Sequence, residues 1–243
     1  MKKDESKIDI VAFGAHPDDV ELGCGGTLYK LKKLGYRTAV IDLTEGEMGS
    51  RGTVEQRYRE SAKSAEILQV DHRSNLKIPD GNIEINAENK AKIISQIRIF
   101  KPLLIFAPYA NDRHPDHVHA SQLITESWFY AGVRKYLPDS PPHRPFRIIY
   151  YMAKYEFEPS FVIDITDEFE TKFDALKAYE SQFYNPEWPE QQTFISSCWF
   201  LESIEFRARH FGWRAGVKYG EPFWIKEPLA LDDPVPIFSR RIL

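Results

Sequence analysis

The chain has 243 residues, enough for one sizeable core, and its net charge of −4 offers no basic surface for nucleic acid. Its first apolar segment is short and is interrupted by Asp9, so we expect neither a signal peptide nor a membrane span, and we expect a cytoplasmic location. Cys24 and Cys198 lie far apart and form no CxxC pair, which favours two reduced thiols over a cysteine metal site.

Strand-like and helix-like segments alternate along the first half of the chain, which indicates a parallel sheet with helices on both faces. In chain order we predict a strand at 8–13, a helix through Leu34 that ends at Gly35, a strand at 37–43, a helix at 54–68, a weak strand at 74–78, a helix at 86–100, a strand at 103–107 and a helix to about Leu137.

The second half is predicted to add two strands and two helices, and no linker separates it from the first half. The strands are predicted at 146–152 and 161–165, the helices at 167–182 and 196–211, and the tail after Gly212 has no clear period. We therefore predict a single α/β domain over 1–243, Rossmann-like, with three αβα layers and a mostly parallel sheet. Its motifs lie in 8–137, and its C-terminal strands and helices lie in 146–225.

A polar cluster, HPDD, directly follows the first predicted strand. In open α/β sheets, ligands bind beyond the carboxyl ends of the strands, which is where His16, Asp18 and Asp19 fall. Pro17 favours an extended backbone at His16, and the turn that follows can point His16 and Asp19 at one ion while Asp18 points elsewhere. The structural alternative is a helix N-cap followed by a first-turn carboxylate.

A second cluster, NDRHPDHVHA, follows the strand at 103–107. Its charged and imidazole side chains are Asp112, Arg113, His114, Asp116, His117 and His119. His114 and His117 are three apart near a helix start, so they can share one face or divide between a metal and a substrate. Of the other histidines, His16 lies in the first cluster, and His72, His143 and His210 lie outside both. We interpret these last three and His119 as surface or structural residues.

Together the clusters supply the ligands of a catalytic metal site. Catalytic zinc commonly has three histidine or carboxylate ligands and one open position, and the two loops can provide that set. Zn²⁺, Fe²⁺ and Mn²⁺ can all accept two histidines and one aspartate.

Two other classes fit parts of this pattern. A Rossmann-like nucleotide-binding module without catalysis would use the glycines near the first turn, but the HPDD carboxylates occupy the place of the phosphate-cradling backbone and would repel a pyrophosphate. A site that only carries or senses metal would need a fourth protein ligand, for which Cys24 is a nearby candidate.

The segments GAHPDDVELGCGGTL, TEGEMGSRGTVEQRYRE and NDRHPDHVHA resemble the LmbE or PIG-L family of zinc-dependent N-acetylglucosamine deacetylases. The later segments SQFYNP and FLESIEFRARHFGWRAGVKYGEPF resemble its bacillithiol-pathway branch. The resemblance implies a hydrolase that removes acetyl from a small sugar substrate, N-acetylglucosaminyl-malate, with another N-acetylglucosaminide or a chitooligosaccharide as the alternative. It also implies a homo-oligomer, either a trimer or a hexamer.

The same resemblance implies a role for each site residue. The metal ligands would be His16, Asp19 and His117. Asp18 would be the general base, and His114 would act as an acid or oxyanion stabiliser oriented by Asp116. The candidates for substrate binding are Arg57 and Arg144, with Arg113 as a further member of a basic rim that would hold a dicarboxylate aglycone.

Overall fold

A seven-stranded sheet organises this computed structural model, which describes residues 7–188 and 193–239. The elements, in chain order, are β1 Ile10–Gly14, α1 Asp19–Lys33, β2 Thr38–Asp42, α2 Val54–Ile67, β3 His72–Asn75, α3 Ala87–Phe100, β4 Leu104–Pro108, α4 Pro115–Ala131, β5 Arg147–Tyr151, β6 Phe161–Asp164, α5 Phe169–Lys177, α6 Cys198–Ala215, β7 Gly220–Trp224 and α7 Val235–Phe238.

The strand order, β3-β2-β1-β4-β5-β7-β6, places a topological switch point beside β1. β1 pairs in parallel with β2 on one side and with β4 on the other, so that Ile10 lies opposite both Thr38 and Leu104. The carboxyl ends of β1 and β4 are therefore adjacent, and the two polar clusters that follow them enter the same crevice.

The alternating side chains of β1 show why both faces of the sheet are covered. Val11 and Phe13 belong to a buried cluster with residues of α3 and α4, whereas Ile10 and Ala12 belong to a cluster with Leu28 of α1. Successive strand residues point to opposite faces, so α1 and α4 lie on opposite sides of the sheet. This arrangement confirms the predicted three-layer fold with a mostly parallel sheet.

Helix boundaries follow local capping signals. Thr53 and Gln56 form a reciprocal capping box at the start of α2, and the Asn86 side chain accepts from a backbone N–H at the start of α3. Gly35 has φ +88° just beyond α1, a conformation that glycine adopts without steric cost. The structure thus places these ends within a few residues of the predicted ones.

Three predictions of secondary structure were wrong in extent or missing. The helix predicted to Leu137 ends at Ala131, and the helix predicted at 167–182 covers only Phe169–Lys177. Strand β7 was missed. It contains Pro222 and is buried along most of its length between β5 and β6, so its sequence shows no alternation. Among the described residues, no helix is both long and apolar enough to cross a membrane.

Candidate metal centre

Three side chains from the two predicted loops converge at the carboxyl ends of β1 and β4. His16 Nδ1 lies 3.4 Å from one carboxylate oxygen of Asp19, and His117 Nε2 lies 3.1 Å from the other. Ligand atoms around a tetrahedral zinc, with bonds of about 2.0–2.1 Å, are separated by roughly 3.3 Å. The two distances to Asp19 are of this size, and one ligand atom from each of the three residues lies within 4.8 Å of the others, so the group could hold a zinc-like ion.

The second nitrogen of each imidazole contacts a carboxylate. His16 Nε2 lies 2.9 Å from Asp80 and 3.3 Å from Asp116, and His117 Nδ1 lies 3.0 Å from Asp112. Metal-binding histidines commonly donate their remaining N–H to a carboxylate, which fixes the tautomer and the ring orientation. These contacts leave His16 Nδ1 and His117 Nε2 as the nitrogens that face Asp19.

The charge of the cluster also fits a bound cation. Burial by itself would lower the pKa of His117, but Asp19 and Asp112 raise it to about 10. Burial would also lower the pKa of His16. Hydrogen bonds to the carboxylates of Asp116, Asp19 and Asp80 outweigh that effect and raise this pKa well above its usual range. In the metal-free protein both imidazoles are therefore held in the protonated form, where they neutralise carboxylates that a divalent cation would neutralise instead.

Asp18 lies beside Asp19 in sequence but points in another direction. Its backbone has φ 121°, a conformation that side-chain-bearing residues rarely adopt, and this turn separates the two adjacent carboxylates. One Asp18 oxygen lies 3.2 Å from Arg57 Nη2. Burial raises the pKa of Asp18 to about 7, although Arg57 opposes the shift, so this carboxyl group is well matched to proton transfer near neutral pH.

His114 caps the start of α4 with its ring. Its Nδ1 accepts a hydrogen bond from the backbone N–H of Asp116, which leaves any ring proton of neutral His114 on Nε2. Burial and the nearby imidazoles of His16 and His117 lower the pKa of His114. The lowered pKa favours a neutral ring with its N–H as a donor, which suits the expected role of oxyanion stabiliser better than that of an acid.

Asp116 reaches the site differently from the prediction. Its carboxylate accepts from Gly81 N at 2.8 Å and lies 3.3 Å from His16 Nε2, whereas only its backbone N–H contacts His114. The carboxylate of Asp116 therefore contacts the turn at Gly81 and the ring of His16, and not the ring of His114.

The predicted arginines separate into three environments. Arg57 is buried and also donates to the carbonyls of Gly46 and Pro17, so it contacts the loops around Asp18. Arg113 is exposed and its guanidinium lies 4.9 Å from the ring centroid of Phe194; within 7–188 and 193–239 it forms no ion pair.

Arg144 is not brought to the cluster. Its guanidinium donates to the carbonyl of Phe129 and packs on Trp128 and Phe129, near the far end of α4. The 14 residues of helix between Pro115 and Phe129 span about 21 Å at ~1.5 Å per residue. We therefore do not retain Arg144 as a residue that contacts substrate in the same chain.

Two site carboxylates were missed or misread from sequence. Neither Asp112 nor Asp80 was among the predicted site residues, but Asp112 contacts His117 and Asp80 contacts His16. The available signal was position, because both residues follow the carboxyl end of a strand. Cys24 is buried against apolar residues. Among the described residues it belongs to neither candidate metal group, the one of His16, Asp19 and His117 or the one of His16, His114 and Asp116. The fourth ligand of a closed site is thus not provided by Cys24.

Comparisons with known proteins find similar sequences and structures. A family model described as PIG-L, GlcNAc-PI de-N-acetylase, matches residues 11–128, which contain both clusters. Diacetylchitobiose deacetylase from Thermococcus kodakarensis is 29% identical over 227 residues, covering 87% of this chain and 80% of that protein.

Two solved structures share the fold over most of the chain. The conserved protein TT1542 from Thermus thermophilus is 38% identical with a TM-score of 0.84, covering 92% of this chain and 97% of that one. GalB, the 4-carboxy-2-hydroxymuconate hydratase from Pseudomonas putida, has a TM-score of 0.79 over 93% of this chain and 99% of its own, but at 19% identity it shows the fold alone. This chain is thus similar to the PIG-L family over residues 11–128, the segment that carries both clusters, and it shares the fold of TT1542 over most of its length.

Proposed function

We propose that this protein is a metal-dependent deacetylase that hydrolyses the N-acetyl group of a small N-acetylglucosamine-containing substrate. One observation carries the proposal. His16, Asp19 and His117 each offer one ligand atom within 4.8 Å of the others, while the carboxyl group of Asp18, the next residue in sequence to Asp19, contacts Arg57 and is outside this set. A hydrolytic metal site needs both features, an open ion and a separate base.

A bound zinc-like ion would polarise the amide carbonyl and lower the pKa of water to about 7. The residues of the chain supply the proton transfers. Asp18 takes a proton from the attacking water as the water oxygen bonds to the carbonyl carbon. Asp18 then returns that proton to the amide nitrogen as the C–N bond breaks. The products are acetate and the free amine. Arg57 keeps Asp18 in place through the contact between its Nη2 and the carboxylate.

His114 supplies the second polar contact to the reacting group. Because Nδ1 is engaged by the backbone of Asp116, the Nε2–H is the proton available for donation. A donor that faces the developing oxyanion stabilises the transition state more than the ground state, and the loss of one such donor typically costs about 10²–10³ in rate. We therefore assign His114 to oxyanion stabilisation and the protonation of the amine to Asp18.

Two substrates are candidates for this site. The name of the Thermococcus kodakarensis relative favours a short chitooligosaccharide such as diacetylchitobiose. N-acetylglucosaminyl-malate is the second candidate, and one observation favours it. Arg113 is exposed, adjoins His114 and has no ion pair among the described residues, while Lys154 Nζ lies 4.7 Å from the same Phe194 ring. Two such cations at the rim would suit a carboxylate-bearing aglycone.

The test is acetate and amine release by purified protein from diacetylchitobiose, N-acetylglucosaminyl-malate and free N-acetylglucosamine. We expect equal amounts of both products, loss of the reaction after chelation, and recovery on addition of Zn²⁺, Fe²⁺ or Mn²⁺. A hydratase would release neither product. The absence of amine from every N-acetylglucosaminide with metal present would refute the proposal, and the ranking of kcat/KM decides between the two substrate candidates.

A further inference from the structure

Asp80 uses both oxygens of its carboxylate and its backbone N–H to join different parts of the site. It lies in the turn after β3, and its side chain is only 7% exposed. Oδ1 contacts His16 Nε2 at 2.9 Å, and Oδ2 accepts from the backbone N–H of Met48 at 2.9 Å. Its own N–H donates to Glu47 at 2.8 Å. The turn therefore connects a candidate metal ligand to the glycine-rich loop, residues 45–52.

Asp116 also approaches His16 Nε2, but its geometry is less suited to accept the ring proton. Its distance to the ring nitrogen is 3.3 Å, compared with 2.9 Å for Asp80. The same Asp116 oxygen is already engaged by the backbone N–H of Gly81 at 2.8 Å, whereas Asp80 Oδ1 faces His16. A single N–H makes one well-formed hydrogen bond, and the shorter distance favours Asp80.

We propose that Asp80 is the residue that positions His16 for metal binding and ties this ligand to the glycine-rich loop. By accepting the Nε2 proton, Asp80 leaves Nδ1 as the nitrogen that can give up its proton to bind the ion, and it restricts rotation of the ring. The bond to Met48 fixes the loop at the same time. This inference rests on the metal site of the proposed function and adds a residue that the sequence motifs do not contain.

Metal affinity measured without turnover is the direct test. Asp80→Ala removes both contacts, and the loss of such an orienting carboxylate typically weakens metal binding by about 10–100-fold. Asp80→Asn keeps an acceptor oxygen for His16, so we expect it to recover much of that loss. The dissociation constant of Zn²⁺ is measured by competition with a chelating dye, and the visible spectrum of the Co²⁺-loaded protein reports the geometry of the ligands.

Glu47→Ala is the matched control. It removes the acceptor of the Asp80 N–H and loosens the same turn, but it leaves the bond between Asp80 and His16 in place. We expect Glu47→Ala to bind Zn²⁺ as the wild type does, with an unchanged Co²⁺ spectrum. A purely structural role for the turn predicts instead that Glu47→Ala and Asp80→Ala weaken binding alike.

Three outcomes would overturn the inference. The first is that Asp80→Ala binds Zn²⁺ as tightly as the wild type. The second is that Glu47→Ala weakens Zn²⁺ binding as much as Asp80→Ala does. The third is that Asp116→Ala weakens binding by about 10–100-fold while Asp80→Ala does not, which would assign the role to Asp116. If Asp80→Ala does not fold, Asp80→Leu, which also removes both side-chain contacts, takes its place and has to show a weakened affinity and a changed Co²⁺ spectrum. Failure of the wild type to bind any metal would refute the proposed function itself, so the two failures are distinguishable.

Discussion

Replacing Asp18 by asparagine is expected to abolish activity and to stabilise the metal-free protein. Burial raises the pKa of Asp18 from an ordinary value of 3.8 to about 7, so ionised Asp18 destabilises the folded chain. At 1.36 kcal/mol for each pKa unit, this difference corresponds to up to about 4 kcal/mol of unfolding free energy. Asparagine cannot ionise and therefore escapes this cost, whereas the rate should fall by about 10²–10⁴ because the base is lost.

The sign of the pH dependence follows from the raised pKa. Protonated Asp18 is compatible with burial, so the wild type suffers no penalty from it below about pH 3.8, and the penalty grows between 3.8 and about 7 and is then constant. Asp18→Asn should consequently raise the unfolding temperature at about pH 8 but hardly at about pH 4. For a chain of this size each kcal/mol shifts that temperature by about 2–4 °C.

The assay is thermal unfolding of chelator-treated protein at both pH values, with metal content and kcat measured on the loaded enzyme. Asp71→Asn is a control of opposite sign, because the Asp71 carboxylate contacts Lys32 and the N–H of Thr38, which lower the pKa of Asp71 against the effect of burial. That variant should be less stable at the higher pH. An equal rise for Asp18→Asn at both pH values, or no rise at the higher one, would contradict the reasoning.

Three further predictions concern metal, substrate and assembly. His117→Ala should lose most bound metal and activity together while keeping the circular dichroism spectrum, and stoichiometric metal by elemental analysis would contradict its role as a ligand. Arg113→Ala should lower kcat/KM for N-acetylglucosaminyl-malate more than for diacetylchitobiose, whereas Arg144→Ala, about 21 Å along α4, should change neither. We also propose that a homo-oligomer forms through Phe206 and Trp213, two exposed aromatic residues seven apart on α6. The double variant Phe206→Ser with Trp213→Ser should then reduce the mass measured by light scattering, and an unchanged mass would exclude this face.

The sequence was most informative where one strand and one motif are contiguous. The run that ends at Gly14 is entirely buried, and its hydrophobic character predicted both a strand and the position of the HPDD cluster just beyond it. The same reasoning placed the second cluster after β4. Their meeting required only that β1 and β4 be neighbours, which the open parallel-sheet topology supplies.

Information was lost where the structure depends on contacts distant in sequence. The sequence of strand β7 has no clear period. Its place in the sheet depends on pairing with β5 and β6, which come from earlier segments of the chain. Residues just beyond α5 leave the predicted helix because the Ser181 N–H and hydroxyl both donate to Glu60, while Gln182 donates to the carbonyl of Arg51. These partners lie 121 and 131 residues away, so no local period could reveal them.

Two adjacent aspartates show most clearly that backbone conformation determines which contacts a side chain makes. Asp18 and Asp19 are chemically identical and both buried, yet one faces Arg57 and the other faces two imidazoles. The backbone of Asp18 at φ 121° produces this divergence, and a non-glycine residue held in such a region typically costs about 1–3 kcal/mol. The surrounding contacts therefore have to outweigh that cost. Because Arg57 binds the Asp18 carboxylate and also the carbonyl of Pro17, the strained backbone and the position of the Asp18 carboxylate share one source of stabilisation.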